Sequence, residues 1–263
     1  MATFISKRET QFSYFDRLLG RPRWKGSKVL DFGGNVGGFL VSASDDVDHA
    51  DYWCLDLNPG AIEQGRRNFP RAHFRHYDRY SSQYNPEGVP NLPVPDLGLK
   101  FDIALAFSVF THTHRDEMIE LVGQLRDALK VGGVLAFTFT DPSYDRSLSN
   151  PELPSGTDVR KMLEWRRAEN PSLGIEEIEE TVETARRSKW CVLIDETLYV
   201  EPGREFSHQE RQGRPGESYN SYFTVEYMRS LFPDAELLAP VSPEWQHCCI
   251  LRDRSGLSGE GRR

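Results

Sequence analysis

The chain has 263 residues, 38% hydrophobic content and a formal net charge of -8, enough for one large α/β domain or a domain with a lid. The acidic balance speaks against long-range attraction to nucleic acid or an anionic membrane, and no apolar run approaches the roughly 18 residues of a membrane span. The N-terminal "MATFISKRETQF" is too polar for a secretory signal, so a cytoplasmic location is expected.

In chain order, residues 5–19 have the spacing of an amphipathic helix carrying Phe12, Phe15 and Leu19, and "GRPRWKGS" then breaks the chain. "KVLDF" is a first strand, and "GFLVSASD" begins a helix or a loop. "DYWCLDL" is a second strand, followed by a helix to about Asn68, with Asn58 as N-cap and Pro59 at the first helical position. "AHFRHYD" is a third strand, and 81–98 is a Pro-, Asn- and Gly-rich loop. "FDIALAFSVF" is a fourth, strongly apolar strand. Thr113 with Asp116 has the spacing of a capping box for a helix whose apolar face is Met118, Leu121, Val122, Leu125 and Leu129, ended by Gly132 and Gly133. "VLAFTFT" is a fifth strand. Beyond Asp141 the pattern changes. Two helices are expected near 157–168 and 173–188, the second with Ile175, Ile178, Val182 and Ala185 on one face. One or two strands follow in "WCVLIDETLYVE", then a loop through "PGREFSHQERQGRPGES". A helix at 224–232 and strands at about 236–241 and in "HCCILRD" complete the chain before a Gly/Ser/Arg tail.

Strands apolar on both faces and alternating with helices imply a doubly wound, mostly parallel α/β sheet of seven strands, with helices on both faces and an inserted lid. The expected divisions are an N-terminal helix and linker (1–26), a core (27–141), a lid (142–222), the end of the core sheet (223–254) and a frayed tail (255–263). "DFGGNVGG" falls at the carboxyl end of the first strand, the edge where open α/β sheets bind ligands.

Several readings of this loop compete. G-x-G-x-x-G is imperfect because Asn35 replaces its middle glycine, and a P-loop lacks its Gly-Lys-Ser/Thr. "DFG" at 31–33 and "HRD" at 114–116 stand in the wrong order for a kinase. The loop does resemble motif I of the class I S-adenosylmethionine (SAM)-dependent methyltransferases, D/E-x-G-x-G-x-G, read here as Asp31, Gly33, Asn35 and Gly37. Asn is the substitute that best tolerates positive φ. Asp56 stands 23 residues after Gly33, at the end of the second strand, where a ribose-binding carboxylate belongs. "FSVFTHT" and "LRDALKVGGVLAFTFTD" resemble the family's later segments, so the likeness spans about 27–141 and returns at 222–252.

The resemblance implies SAM as cofactor, S-adenosylhomocysteine (SAH) as product, and a cofactor site of Asp31, Gly33, Gly34, Asn35, Gly37, Asp56, Leu57, Asp78, Arg79, Phe107 and Ser108. In it, Asp78 would accept the adenine amino group. The implied reaction is O- or N-methylation of a small specialised metabolite, with a modified peptide as the alternative substrate. An NAD(P)-dependent oxidoreductase and a non-catalytic partner protein of the same fold remain as rivals. His112, after the fourth strand, is the better candidate for a base or a substrate-positioning group. His114 falls in the next helix, His208 in a loop that closes over substrate, and His247 in a structural position. Tyr14, His208 and Tyr222 are candidate substrate contacts, although most lid aromatics are expected to pack the lid's own core. No metal is expected: no CxxC occurs, and Cys248 and Cys249 face opposite sides of a strand. "DPSY" at 141–144 follows the fifth strand, not the fourth, and is discounted as an amino-methylation motif.

Overall fold

The computed structural model describes residues 11–43, 45–200 and 213–253. The first helix, α1, occupies 11–18 of the described residues. There follow β1 (Val29–Phe32), α2 (Gly38–Ala43), β2 (Tyr52–Asp56), α3 (Pro59–Asn68), β3 (His73–His76), β4 (Phe101–Ala106), α4 (Arg115–Asp127) and β5 (Leu129–Phe139). Seven strands form the main sheet in the order β3-β2-β1-β4-β5-β10-β9, where β9 is Glu236–Leu238 and β10 is His247–Arg252. β1 to β5 run parallel, and β10 is antiparallel to both its neighbours.

Alternate residues of each central strand feed two apolar layers, as a sheet buried on both faces requires. Leu30, Ala104, Leu135 and Cys249 pack with Met118, Leu121, Val122 and Leu125 of α4. Val29, Leu105, Ala136 and Cys248 pack with Phe15 of α1, Phe39 and Leu40 of α2, and Ile62 of α3. The adjacent cysteines therefore do sit on opposite faces.

Between β5 and the end of the main sheet lie α5 (Asp158–Glu169), α6 (Ile175–Arg187) and an antiparallel sheet of β7 (Thr197–Val200), β6 (Trp190–Ile194) and β8 (Tyr219–Phe223). Strand β6 has two buried faces. Trp190, Val192 and Ile194 join the main core, whereas Cys191 and Leu193 pack against Val159 and Leu163 of α5 and Ile178, Val182 and Ala185 of α6. Ile175, expected on that face, is 58% exposed. Strand β8 is tied to the main sheet: Phe223 N–H donates to Thr140 O (2.9 Å) and Ser221 Oγ to Thr113 O (2.5 Å). It continues one residue past 222, where the insertion was expected to end, into helix α7 (Val225–Leu231).

Two local expectations are corrected. Thr113 does not cap α4. His114 does, its Nδ1 accepting from Asp116 N–H at 3.2 Å. Nor do Gly132 and Gly133 end that helix, which stops at Asp127. Leu129 opens β5, and the register with β4 jumps from Phe101↔Leu129 to Ile103↔Val134, so the glycines lie in an irregularity of the strand. Gly132 has φ +78° there. A glycine pair with one positive φ serves a bulge as well as a helix terminus.

Candidate active site

The order of the sheet reverses at β1, which lies between β2 and β4, so a crevice opens beyond their carboxyl ends. A cleft of about 280 Å³ occupies it. Its floor is the glycine loop. Gly33 (φ +79°), Asn35 (φ +53°) and Gly37 (φ +83°) all take the left-handed conformation, so asparagine does the backbone work of the missing glycine. Gly34 has ordinary φ but no room. A Cβ there would lie 2.5 Å from Asp31 Oδ2 and 2.9 Å from Cys54 Sγ. Gly34→Ala is therefore expected to destabilise the protein by about 1–3 kcal/mol through overpacking. A Tm unchanged on thermal denaturation would show that Asp31 can swing away.

Asp31 lies buried beneath this loop and accepts a 2.5 Å hydrogen bond from Tyr52 Oη. Burial, opposed by that hydrogen bond, pushes its carboxyl up to about 7. Asp56, at the end of β2, borders the cleft. Its Oδ2 accepts from Asn35 N–H and its Oδ1 from Asn58 N–H, both at 2.8 Å, so the one carboxylate ties the glycine loop to the start of α3. Each oxygen keeps lone-pair capacity for a ligand hydroxyl. Burial raises the Asp56 carboxyl above its usual range, against these two backbone donors.

Leu57, next to Asp56 after β2, borders the cleft, and the far wall comes from the chain after β4, with Phe107, Ser108 and Val109. Ser108 also takes a positive φ (+56°), stabilised by its N–H donating to Thr138 Oγ1 at 2.7 Å. His112 follows in a single 3₁₀ turn. Its Nδ1 stands 2.8 Å from Tyr219 O of β8. A carbonyl only accepts, so Nδ1 carries the proton and Nε2 is left as the acceptor, 3.3 Å from Tyr84 Oη. Burial lowers the pKa of His112 and keeps the ring neutral.

A second cleft, of about 420 Å³, lies on the other side of the same turn. Trp165, Met162, Trp245, Asn220, Gln246 and Asp158 line it, and it shares Ser108 and His112 with the first. Trp165 is one of the lid aromatics whose type suits a pocket for a flat molecule; the other five were not singled out in the sequence. They come from α5, β8 and the β9–β10 connection and meet only through tertiary folding.

Other expected site residues are placed differently. Asp78 is exposed, holds Asn85 Nδ2 at 3.0 Å and does not border the cleft. The alternation of the extended chain turns its neighbours Tyr77 and Arg79 inward instead. Arg79 does border the cleft, but its guanidinium is committed to Glu117 (2.7 Å), Glu120 (3.2 Å) and Leu92 O (2.7 Å). Tyr14 is 3% exposed, packs edge-on against Phe107 and donates to Gln246 O, so it contributes to core packing and borders neither cleft. Tyr222, 1% exposed, packs with α5 and α6, with its hydroxyl 3.3 Å from Asp158 Oδ2. His208 and most of its loop lie outside the described residues. His114 caps α4, and His247 stacks on Phe139, both away from the clefts.

The residues fit SAM. Gly33, Gly34 and Gly37 leave no space for a side chain, the partly buried carboxylate of Asp56 borders the cleft at the end of β2, and apolar residues line the remaining wall. Residues 30–135, less than half of the chain, match the family described as "Methyltransferase domain". No curated protein matches the chain. Solved structures share its fold. A SAM-dependent methyltransferase from Clostridium acetobutylicum superposes with TM-score 0.50 at 10% identity, over 94% of this chain and 91% of that one. CalS10, an amino pentose methyltransferase from Micromonospora echinaspora solved with bound SAM, gives 0.50 at 15% identity, over 96% and 97%. Magnesium protoporphyrin IX methyltransferase from Synechocystis, solved with bound SAH, gives 0.51 at 11% identity, over 94% and 84%. With the matched domain, the strand order and the glycine loop at its switch point, this chain carries a methyltransferase domain over residues 30–135 and shares the fold of the SAM-dependent methyltransferases.

Proposed function

We propose that the protein methylates an oxygen or nitrogen of a small molecule seated in the second cleft. One observation carries this reading: the two clefts meet at Ser108 and His112, at the carboxyl end of β4. A cofactor in the first and an acceptor in the second would react across that junction.

When bound, SAM supplies an electrophilic methyl group on a sulfonium. The chain's part is to hold and align. The Gly33–Gly37 loop, with Asp31 buried beneath it, and Asp56, Leu57, Phe107 and Ser108 are the residues to hold the cofactor. The carboxylate of Asp56 would accept the ribose hydroxyls. Trp165, Met162 and Trp245 offer apolar faces to the acceptor. His112 Nε2, neutral and with Nδ1 fixed by the Tyr219 carbonyl, is suited to take the proton of an attacking O–H or N–H. Because that carbonyl belongs to β8, the insertion that lines the acceptor cleft also orients the base. We read residues 142–222 as the substrate-covering unit on this ground, with the core from 27 to 141 and from 223 onward. The four cysteines are buried free thiols, in keeping with a reducing cytoplasm.

The purified protein is expected to bind SAH and to ignore NAD in calorimetry, and to transfer isotope-labelled methyl from SAM to members of a panel of phenols, amines and amino sugars. Methylation of a peptide panel alone would reassign the acceptor. Binding of NAD without SAH would favour the oxidoreductase rival and sink the reading.

A further inference from the structure

A third hollow, of about 240 Å³, lies beside the acceptor cleft at the N-terminus of α5, a twelve-residue helix capped by Thr157. Arg146, Arg160, Lys161, Ser155 and Thr157 line it, with Glu164 as the one carboxylate among its lining residues. Arg160 is already committed, bidentate to Glu179 at 2.6 and 2.5 Å. Ser155 Oγ donates to Asp145 (2.6 Å). Lys161 stands 3.8 Å from Asp158, with its side chain 44% exposed.

Arg146 is different. It is 5% exposed, its Nε is buried without a hydrogen-bond partner, and no ion pair among the described residues engages it. Its guanidinium lies over the Trp245 ring, 5.6 Å from the centre, and Lys161 Nζ lies 5.1 Å from the same ring. A buried cation with an unfilled donor is costly unless an anion completes it. The helix N-terminus adds favourable potential for negative charge at the same place. Lys161 borders both the hollow and the acceptor cleft, and Trp245, beneath the Arg146 guanidinium, borders the acceptor cleft, so the two spaces adjoin.

We infer that the Arg146 hollow is an oxyanion subsite holding a carboxylate or phosphate group carried by the methyl acceptor. The inference rests on the second cleft being the acceptor site. It gives the substrate class a charge: an anionic molecule whose ring sits against Trp165 and Trp245, reaching from His112 at one end to Arg146 at the other. The protein's overall negative charge would repel such a molecule at long range, so the local guanidinium must supply the recognition.

The test is a titration of the SAH-saturated protein, read by NMR at the Arg146 Nε–H and the Trp165 indole N–H. Inorganic phosphate, phenyl phosphate, benzoate and phenol are the probes, at constant ionic strength. Phenyl phosphate or benzoate should move both signals and bind at least about tenfold more tightly than phosphate or phenol, because two linked groups bind together. Arg146→Gln should weaken the aryl anion by about tenfold or more, Arg146→Lys should restore part of it, and Lys161→Gln, at a partly exposed position, should weaken it less. If Arg146→Gln does not fold, the contrast between Arg146→Lys and the wild type decides. No shift at Arg146 with any anion overturns the subsite. Equal affinity for phosphate and phenyl phosphate makes it a free-anion site and overturns its assignment to the acceptor. Failure to bind SAH in the preceding calorimetry would count against methyl transfer instead, while the same titration of the protein without SAH would still report on the anion.

Discussion

Asp56→Ala is expected to weaken SAH binding at least about tenfold, since a hydrogen bond from a ligand hydroxyl to a charged carboxylate contributes about 1.5–3 kcal/mol and each 1.4 kcal/mol is a factor of ten in Kd. The geometry favours a larger loss. The two Asp56 oxygens hold Asn35 N–H and Asn58 N–H, so the alanine variant would also release the glycine loop from the start of α3. Asp56→Asn separates the two effects. Its amide oxygen can still satisfy one of the backbone donors, whereas its NH₂ meets the other donor and cannot accept from the ribose. Asparagine should therefore retain most of the Tm and still lose most of the affinity.

Acidity supplies an independent check. Burial holds the Asp56 carboxyl above the ordinary range. Its charged form is the acceptor, so SAH affinity should be full at neutral and higher pH. It should begin to fall at a higher pH on acidification than an unperturbed aspartate would give. Calorimetry across the pH range tests this. A folded Asp56→Ala protein with wild-type affinity would place the ribose elsewhere.

The parts of this site legible in the sequence are those fixed by backbone chemistry. Asn35 was expected to accept a positive φ because asparagine tolerates it, and it has φ +53°. Asp56 follows from strand length, since the residue that ends the second strand must reach the switch point. What depends on side-chain direction was less legible. Asp78 and Arg79 are neighbours at the end of one extended segment, and only the parity of the alternation decides which turns inward. The pattern of Phe74 and Tyr77 buried with His73 and Arg75 exposed carries that signal weakly, because the strand ends at His76 and the parity slips there. Gly132–Gly133 misled for a related reason, the same pair suiting a helix end and a strand bulge. Tyr14 and Tyr222 are large aromatics that satisfy a hydroxyl while buried, and composition alone does not separate such residues from cleft walls. The second cleft was largely invisible because, Trp165 apart, its walls come from Asn220 of β8 and Trp245 and Gln246 of the β9–β10 connection, and no spacing rule joins these to α5.

The largest effect on turnover is expected at His112. General-base catalysis contributes about 10²–10⁴-fold, so His112→Ala should lower kcat by that range while changing SAH affinity by less than about threefold. The reason for a selective effect is structural: Nδ1 is spent on Tyr219 O, and Nε2, which an acceptor would take over from the Tyr84 hydroxyl at 3.3 Å, is the nitrogen able to accept a proton. His112→Asn, which can donate to that carbonyl but lacks a basic nitrogen, should keep the β8 contact and lose the rate. The pH profile distinguishes a base from a group that only positions substrate. A base acts in its neutral form, and burial lowers the pKa of His112 below 6.5. The wild-type rate should therefore stay level as pH falls through neutrality and drop only below 6.5, with the acid limb absent from the residual activity of both variants. A His112→Ala enzyme that keeps wild-type kcat, or one that retains the same acid limb at reduced rate, would show that the proton leaves by another route.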